Sequence, residues 1–248
     1  MKGLLFNSPI LDGPCQMATD MLMLEKVASN NELTLLIRFY KWSGGPWLSI
    51  GRNQKELPKK WLNLYHKKVI DIVRRPSGGN AVLHTNGLTY ALAWCSPPRK
   101  KHQAYFEASK WITNCFSQLD VNLKFGTIAS KNVNENCFAS STNADLIDEK
   151  NSKRVGSAQA WRKGNLLQHG EILLQPDEEI WAELFNSKPP EPINAEITSF
   201  ELEDLLVESF IAQWPDIDLH KTNFSLQDIA KAKENSKSYF FELSKLDT

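Results

Sequence analysis

The chain has 248 residues, of which 42% are hydrophobic, so it can form one large domain with a sizeable core or two small ones. Its 29 lysines and arginines equal its 29 aspartates and glutamates, so charge gives no reason to expect nucleic acid or a membrane surface as a partner. No apolar run approaches the length of a membrane-spanning helix, and the N-terminal apolar core is too short for a signal peptide, so we expect a cytoplasmic protein.

The N-terminal part predicts a helix laid against a growing sheet. Apolar residues recur at helical spacing in 18–28, and Gly13-Pro14 is interpreted as the break between a first strand and this helix. Residues 33–40 and 47–50 are typical of strands. Trp42 either lines a pocket or packs in the core; it is assigned no chemistry, because buried packing is the usual role of such an aromatic side chain.

Residues 69–94 form a segment in which apolar runs meet at two adjacent glycines. The runs 69–73, 81–83 and 88–94 predict strands. Gly78 and Gly79 can adopt positive φ angles and carry no Cβ, so a phosphate or carbonyl group can approach their backbone N–H groups. Arg75 precedes them with donors that suit a phosphate or a carboxylate. An ordinary hairpin turn with solvated arginines is the alternative that this segment leaves open.

The middle of the chain predicts a helix followed by a long loop. Residues 103–119 have the spacing of an amphipathic helix, and the basic stretch 99–102 before it is either a solvated loop or a dock for an acidic protein. The four cysteines lie far apart without a CxxC pair, so neither a zinc site nor a disulfide framework is predicted. Residues 126–150 lose periodicity, and Cys137 in this loop is either a reactive thiol that meets substrate or a cysteine without a role.

The following segment predicts a hairpin, because the extended runs 153–161 and 166–174 flank a Lys-Gly-Asn turn. Small residues in its first strand allow a ligand to lie against that strand. The remaining residues predict helices over 177–185, from the capping box at Thr198 to Gln213, and over 225–241. The last helix has a lysine-rich face that is either plain surface or a dock for acidic proteins.

Three motifs carry a more specific signal: RRPSGGNAVLH at 74–84, KRVGSAQ at 153–159 and QHGEILL at 168–174. Together, in this order, they resemble the signature of the lipoate-protein ligase and octanoyltransferase family, within the wider biotin/lipoyl ligase superfamily. The resemblance is closest to the LipM-type octanoyltransferase branch. Ser77 in place of threonine and Asn80 in place of arginine depart from the usual pattern of that branch.

This resemblance implies an α+β fold with a mixed, mostly antiparallel sheet and flanking helices. It implies one catalytic domain over 1–248, with 199–248 as a helical C-terminal extension and no separate accessory domain. The implied pocket holds a medium-chain acyl group. Its implied ligand-contacting residues are Arg75, Ser77, Gly78, Gly79, Asn80, His84, Gly156, Ser157, Ala158, His169 and Gly170. From the residues alone, we interpret the two histidines as hydrogen-bonded structural groups.

The resemblance also implies a choice between two chemistries. The transferases pass an octanoyl or lipoyl group from acyl carrier protein, through a cysteine thioester, to a lysine of a lipoyl domain, as in 2-oxoacid dehydrogenase E2 or the glycine cleavage H protein. They use no cofactor, whereas the ligases activate the free acid with ATP and Mg²⁺, and the lysine matching Lys153 contacts the adenylate. Cys137-Phe138 matches the transferases' acylated cysteine, so we expect a transferase. A biotin- or lipoate-binding module without transfer activity is a further alternative.

Thiol chemistry gives Lys153 a role beside Cys137. A free thiol with a pKa of about 8.5 is mostly protonated at neutral pH, and a nearby ammonium favours the thiolate. Lys153 and backbone N–H groups of the glycine pair or of Gly156 and Ser157 would also stabilise the oxyanion that forms at the acyl carbonyl. We therefore expect Cys137 and Lys153 to be the catalytic residues, with a solvated strand-end lysine as the alternative for Lys153.

Overall fold

The computed structural model describes residues 1–30, 32–126, 145–193 and 197–242. The strands are β1 (Lys2–Asn7), β2 (Leu33–Tyr40), β3 (Trp47–Ile50), β4 (Asp71–Arg74), β5 (Val82–His84), β6 (Leu88–Trp94), β7 (Lys124–Phe125), β8 (Leu146–Ile147), β9 (Lys153–Arg162), β10 (Asn165–Ile172) and β11 (Asp218–Asn223). The helices are α1 (Gly13–Ser29), α2 (Lys59–His66), α3 (Lys101–Ser117), α4 (Glu178–Phe185), α5 (Ser199–Gln213) and α6 (Leu226–Asn235), with a 3₁₀ turn at Ser236–Tyr239. Within these ranges, no helix has both the length and the apolar character needed to cross a membrane.

Two sheets organise the structure. The larger has eight strands in the order β11-β1-β2-β6-β10-β9-β8-β7, with parallel pairs between β11, β1 and β2 and antiparallel pairs elsewhere. The smaller has three strands in the order β4-β3-β5, in which β3 is parallel to β4 and antiparallel to β5. The predicted α+β class, with a mixed and mostly antiparallel sheet and flanking helices, is confirmed.

The large sheet is covered on both faces, because alternate side chains of each strand point to opposite sides. On one face, Trp111 of α3 packs against Tyr90 of β6. On the other face, Leu24 of α1 is buried in the same cluster as Leu167 of β10. The small sheet, α2 and α4 enclose a third cluster around the buried Trp61.

The start of α1 differs from the prediction. Gly13 and Pro14 begin the helix instead of separating it from β1. Asp12 caps it, and its Oδ1 accepts a hydrogen bond from the backbone N of Cys15 at 2.9 Å. Proline suits this first turn, because its missing N–H would have no partner within the helix.

The C-terminal part also differs from the prediction of a helical extension over 199–248. The capping box of Thr198 and Glu201 does begin α5. The segment after it, however, contains β11, which pairs in parallel with β1 at the edge of the large sheet. β11 is polar and mostly exposed, so it lacks the apolar alternation that would reveal a strand. The predicted helix over 225–241 ends at Asn235.

Candidate functional site

The glycine segment, residues 75–81, connects β4 to β5. Both strands pair with β3, which lies between them, so the alternative of an ordinary hairpin turn is wrong. Gly79 has a φ of 93°, in the left-handed region that favours glycine. A Cβ on Gly51, just after β3, would lie 1.9 Å from the Gly79 carbonyl oxygen. The segment therefore passes directly against the backbone at Gly51, where only glycine leaves room for it.

The two arginines before the glycines hold the segment in shape. Arg75 Nη2 donates to the carbonyl oxygens of Gly78 at 2.9 Å and Asn80 at 2.6 Å. Its Nη1 donates to the carbonyl oxygen of Ser49 on β3 at 2.8 Å. Arg74 Nη1 donates in the same way to backbone carbonyls of the loop after β3. Much of the donor capacity predicted for a ligand is thus used on the backbone.

A buried network links this segment to α1 and the large sheet. Asp20 on α1 accepts hydrogen bonds from Arg38 Nε at 3.0 Å and Nη2 at 2.6 Å. Its Oδ2 lies 2.7 Å from His169 Nδ1 on β10, and His169 Nε2 lies 2.5 Å from Ser77 Oγ. Burial alone would raise the pKa of Asp20, but the Arg38 charge and the His169 hydrogen bond outweigh it and hold that pKa below its ordinary value. The carboxylate therefore stays ionised and fixes the imidazole against Ser77.

A second network runs through Glu171, a site residue that the sequence analysis missed. Glu171 Oε2 on β10 lies 2.7 Å from His84 Nδ1 and accepts a hydrogen bond from Thr89 Oγ1 at 2.5 Å. His84 Nε2 lies 2.7 Å from Ser49 Oγ. Because Arg75 also donates to Ser49, the large sheet is connected by hydrogen bonds to the glycine segment. Glu171 follows His169 by two residues on the same face of β10, and this spacing in the motif is the signal that could have found it.

Replacing Glu171 tests this connection. Glu171→Gln replaces the carboxylate with a neutral amide, so the Oε2 acceptor that Thr89 and His84 share either loses its charge or becomes an NH₂ group that cannot accept. We expect the free energy of unfolding to fall by about 1–3 kcal/mol, the usual cost of a buried polar group without a partner. Urea denaturation measures the change. Glu183→Gln, on the exposed side of α4, is the control and should stay within about 0.5 kcal/mol of the wild type. Equal effects of the two substitutions would contradict a structural role for Glu171.

A cavity lies between the glycine segment, α1, β9 and β10. Its volume, with the open mouth included, is about 440 Å³. The predicted ligand-contacting residues on its wall are Arg75, Gly78, Gly79, His84, Gly156, Ser157, Ala158, His169 and Gly170. Other wall residues are Met17, Tyr40, Trp42, Ser49, Val82, Thr89 and Glu171. Ser77 and Asn80 are not among the described residues of this wall, but each bonds to a residue on it. Their contact with a ligand stays a prediction, as it does for the wall residues.

Trp42 belongs to this wall, so the alternative that it lines a pocket is confirmed. Its Nε1 donates to Thr89 Oγ1 at 2.8 Å, and its ring centroid lies 4.2 Å from that of His84. Trp42 lies between β2 and β3, where no periodic pattern indicates which way a side chain points. The two predicted structural histidines, His84 and His169, are hydrogen-bonded as expected and also line the cavity.

Small residues form the part of the wall that β9 contributes, and Gly170 of β10 lies beside them. A Cβ on Gly170 would lie 2.5 Å from the Gly156 carbonyl oxygen, so the two strands can have this spacing only with glycine there. Ser157 Oγ lies 2.8 Å from the Tyr90 hydroxyl. Burial raises the pKa of Tyr90 to about 12, so this phenol stays neutral at physiological pH. The β9 side of the cavity is therefore lined by small, uncharged residues, and Tyr90 holds Ser157 in place.

Of the two predicted catalytic residues, the structure describes Lys153 but not Cys137. Cys137 falls in 127–144, outside the described residues. Lys153 begins β9, is buried, and its Nζ lies 2.8 Å from Asp145 Oδ1. The alternative of a solvated strand-end lysine is therefore wrong. Asp145 is the first described residue after the segment that contains Cys137, so the ion pair stands at the end of that segment.

The described cysteines are poor candidates for a thiolate nucleophile. Burial raises the pKa of Cys15 to about 11 and that of Cys115 to about 12, so both are protonated at neutral pH. Cys95 is partly exposed but does not line the described wall of the cavity.

Sequence and fold comparisons agree on the family. A family model described as the lipoyl protein ligase A/B catalytic domain matches residues 12–215. A protein of Oceanobacillus iheyensis named octanoyltransferase LipM is 35% identical over 184 residues, which are 72% of this chain and 66% of that protein. One of the same name from Halalkalibacterium halodurans is 36% identical over 162 residues, or 60% of this chain and 58% of that protein. The chain thus spans less than two thirds of the length of these two relatives.

The fold is shared with solved structures as well. The crystal structure of lipoate-protein ligase A bound with ATP matches with a TM-score of 0.81 at 18% sequence identity, and the match covers 99% of both chains. The resemblance drawn from the three sequence motifs is confirmed. Since the family model matches most of its length, the chain belongs to the lipoyl protein ligase A/B catalytic domain family.

Proposed function

We propose that this protein is a cytoplasmic octanoyltransferase of protein lipoylation. It takes an octanoyl group from acyl carrier protein and passes it to the target lysine of a lipoyl domain, such as that of a 2-oxoacid dehydrogenase E2 or the glycine cleavage H protein. The observation that carries this proposal is the 35–36% identity to relatives named octanoyltransferase LipM. The ATP-bound ligase has the same fold but only 18% identity.

The proposed reaction has two acyl-transfer steps. First, the Cys137 thiolate attacks the carbonyl carbon of the octanoyl thioester, a new C–S bond forms, and the carrier leaves as a thiolate that takes up a proton. Second, the neutral ε-amine of the lipoyl-domain lysine attacks the Cys137 thioester, a C–N bond forms, and the C–S bond breaks. The amine proton passes to the departing thiolate. The first step exchanges one thioester for another, and the second runs downhill to an amide, so ATP is not required.

The residues around the cavity support this reaction. The acyl chain lies in the cavity against Met17 and Val82, beside the small, uncharged residues that β9 contributes. Lys153 is assigned to stabilising the Cys137 thiolate, because an ammonium lowers the pKa of a nearby thiol. The Gly78 and Gly79 backbone N–H groups are assigned to the oxyanion of each tetrahedral intermediate.

Intact-protein mass spectrometry after incubation with octanoyl-acyl carrier protein tests the proposal. We expect an octanoyl adduct on Cys137 in the wild type and none in Cys137→Ser, which should also fail to octanoylate a lipoyl domain. Cys95→Ser is the matched control, since Cys95 is another partly exposed thiol, and it should retain the adduct and the transfer. An adduct that persists in Cys137→Ser would contradict the covalent route.

The fold match to an ATP-bound ligase favours one rival function. A ligase would activate free octanoate or lipoate with ATP and Mg²⁺, exchange pyrophosphate into ATP, and keep its activity in Cys137→Ser. Activity under those conditions alone would replace the transferase proposal. Binding of biotin or lipoate with neither reaction would indicate a module without transfer activity.

A further inference from the structure

An open groove of about 710 Å³ lies beside the cavity, and we call it the arginine groove. Four arginines line it, together with two aromatic side chains: Arg52, Arg74, Arg75, Arg162, Trp161 and Tyr239. None of its described lining residues is an aspartate or glutamate. The whole chain has no net charge, so this concentration of positive charge is a local feature.

The arginine groove continues the cavity along two elements. Met17 of α1 lines the cavity, and Met21, one helical turn later, lines the groove. Ala158 and Ala160, which lie on the same face of β9, are divided in the same way. Arg75 borders both. An elongated ligand can therefore have one end in the cavity and the other in the groove.

The arginines in the groove retain positive charge for a ligand. Arg52 is exposed, and it forms no ion pair with any described residue. The bonds of Arg74 are to backbone carbonyls, which hold its guanidinium in place without neutralising it. Arg162 pairs with Glu25 at 2.8 Å, but Glu25 is also shared with Lys231 at 2.9 Å. Charged donors of this kind suit a phosphate group, since guanidinium groups bind its oxygens in pairs.

We propose that the arginine groove binds the phosphodiester of the phosphopantetheine arm that carries the octanoyl thioester. This inference rests on the proposed function, because it names the part of the acyl donor that this side of the site recognises. The octanoyl chain lies in the cavity, the pantetheine unit passes Arg75, and the phosphodiester lies among Arg52, Arg74 and Arg162. Trp161 and Tyr239 give the uncharged part of the arm an apolar wall.

Two small donors that differ only in the phosphate test this inference. Octanoyl-4′-phosphopantetheine and octanoyl-pantetheine are compared in octanoyl transfer to a lipoyl domain. We expect the wild type to have a KM at least 5-fold lower for the phosphorylated donor. Arg52→Gln should raise the KM for that donor by a similar factor and leave kcat and the KM for octanoyl-pantetheine unchanged. Arg162→Gln should show the same selective effect, and added salt should reduce the wild-type preference.

Arg99→Gln is the matched control, because Arg99 is an exposed arginine in the stretch 99–102, outside the arginine groove. It should leave both KM values unchanged. Equal KM values for the two donors in the wild type would overturn the inference and leave octanoyl transfer intact. A phosphate-selective effect confined to Arg99→Gln would overturn it as well. Failure of transfer from both thioesters, with activity on free octanoate and ATP, would overturn the proposed function itself.

Discussion

Asp20→Asn is expected to lower the free energy of unfolding by about 3–5 kcal/mol, because it leaves a buried arginine without its carboxylate partner. Arg38 Nη2 lies 2.6 Å from Asp20 Oδ1, and both side chains are 0% exposed. The Asp20 carboxylate also accepts hydrogen bonds from the Tyr40 hydroxyl at 3.0 Å and lies 2.7 Å from His169 Nδ1. An amide group cannot accept from all of these donors. Urea denaturation with linear extrapolation measures the change.

Asp228→Asn is the matched control for this substitution. Asp228 pairs with Lys26 at 2.7 Å, but the two side chains are 15% and 31% exposed. Ion pairs near the surface contribute about 0–1 kcal/mol, so we expect a loss within that range. Equal losses in the two variants would show that burial of the Asp20 pair does not raise its contribution.

The Asp20 pair also makes stability depend on pH. The pKa of the Asp20 carboxyl group in the folded protein lies below its ordinary value. The contribution of this carboxylate to the free energy of unfolding is therefore complete when the pH is above the pKa of an unfolded aspartate, about 3.9. It is lost as the pH falls through the lower pKa of the folded state. We expect the wild type to lose stability more steeply than Asp20→Asn below about pH 4. Parallel curves in that range would contradict this assignment.

Gly51→Ala is expected to reduce kcat/KM for octanoyl transfer by about 100-fold, the scale of loss that a displacement of about 1 Å can cause in an active site. The new Cβ would lie 1.9 Å from the Gly79 carbonyl oxygen, so the glycine segment must move. That movement would shift the Gly78 and Gly79 backbone N–H groups that are assigned to the oxyanion. It would also change the part of the cavity wall that these two glycines form. Transfer to a lipoyl domain, measured with thermal unfolding, separates loss of activity from loss of fold.

Gly45→Ala provides the matched control, because a Cβ on Gly45 would have no heavy atom within 4 Å. We expect its activity to equal that of the wild type. Wild-type activity in Gly51→Ala would show that the exact path of the glycine segment does not matter for transfer.

The parts of the fold that could be predicted are those with local patterns. The β9 and β10 hairpin followed from two apolar runs around Lys163 and Gly164, which adopt the positive φ angles of a tight turn. The insertion of β3 between β4 and β5 could not be predicted in this way, because strand order depends on contacts distant in sequence. The edge strand β11 gave no signal, since its polar side chains suit solvent on both faces.

The site, too, could be predicted from the sequence only in part. The residue types of the site could be recognised, because the three motifs contain its glycines, arginines and histidines. Their partners were not visible, because Asp20 precedes His169 by 149 residues and Glu171 follows His84 by 87. Sequence spacing predicts neighbours on one strand or helix, whereas these pairs join separate elements. The arginine groove likewise combines residues from distant parts of the chain.

The position of β11 has a consequence for biosynthesis. β1 lies between β2 and β11 in the sheet, so its outer edge has no partner until residues 218–223 have left the ribosome. During that interval the unpaired N–H and C=O groups of β1 can attract strands of other nascent chains. Completion of the sheet therefore comes only after its other seven strands have been synthesised, and a nascent chain halted before this point would be prone to aggregation.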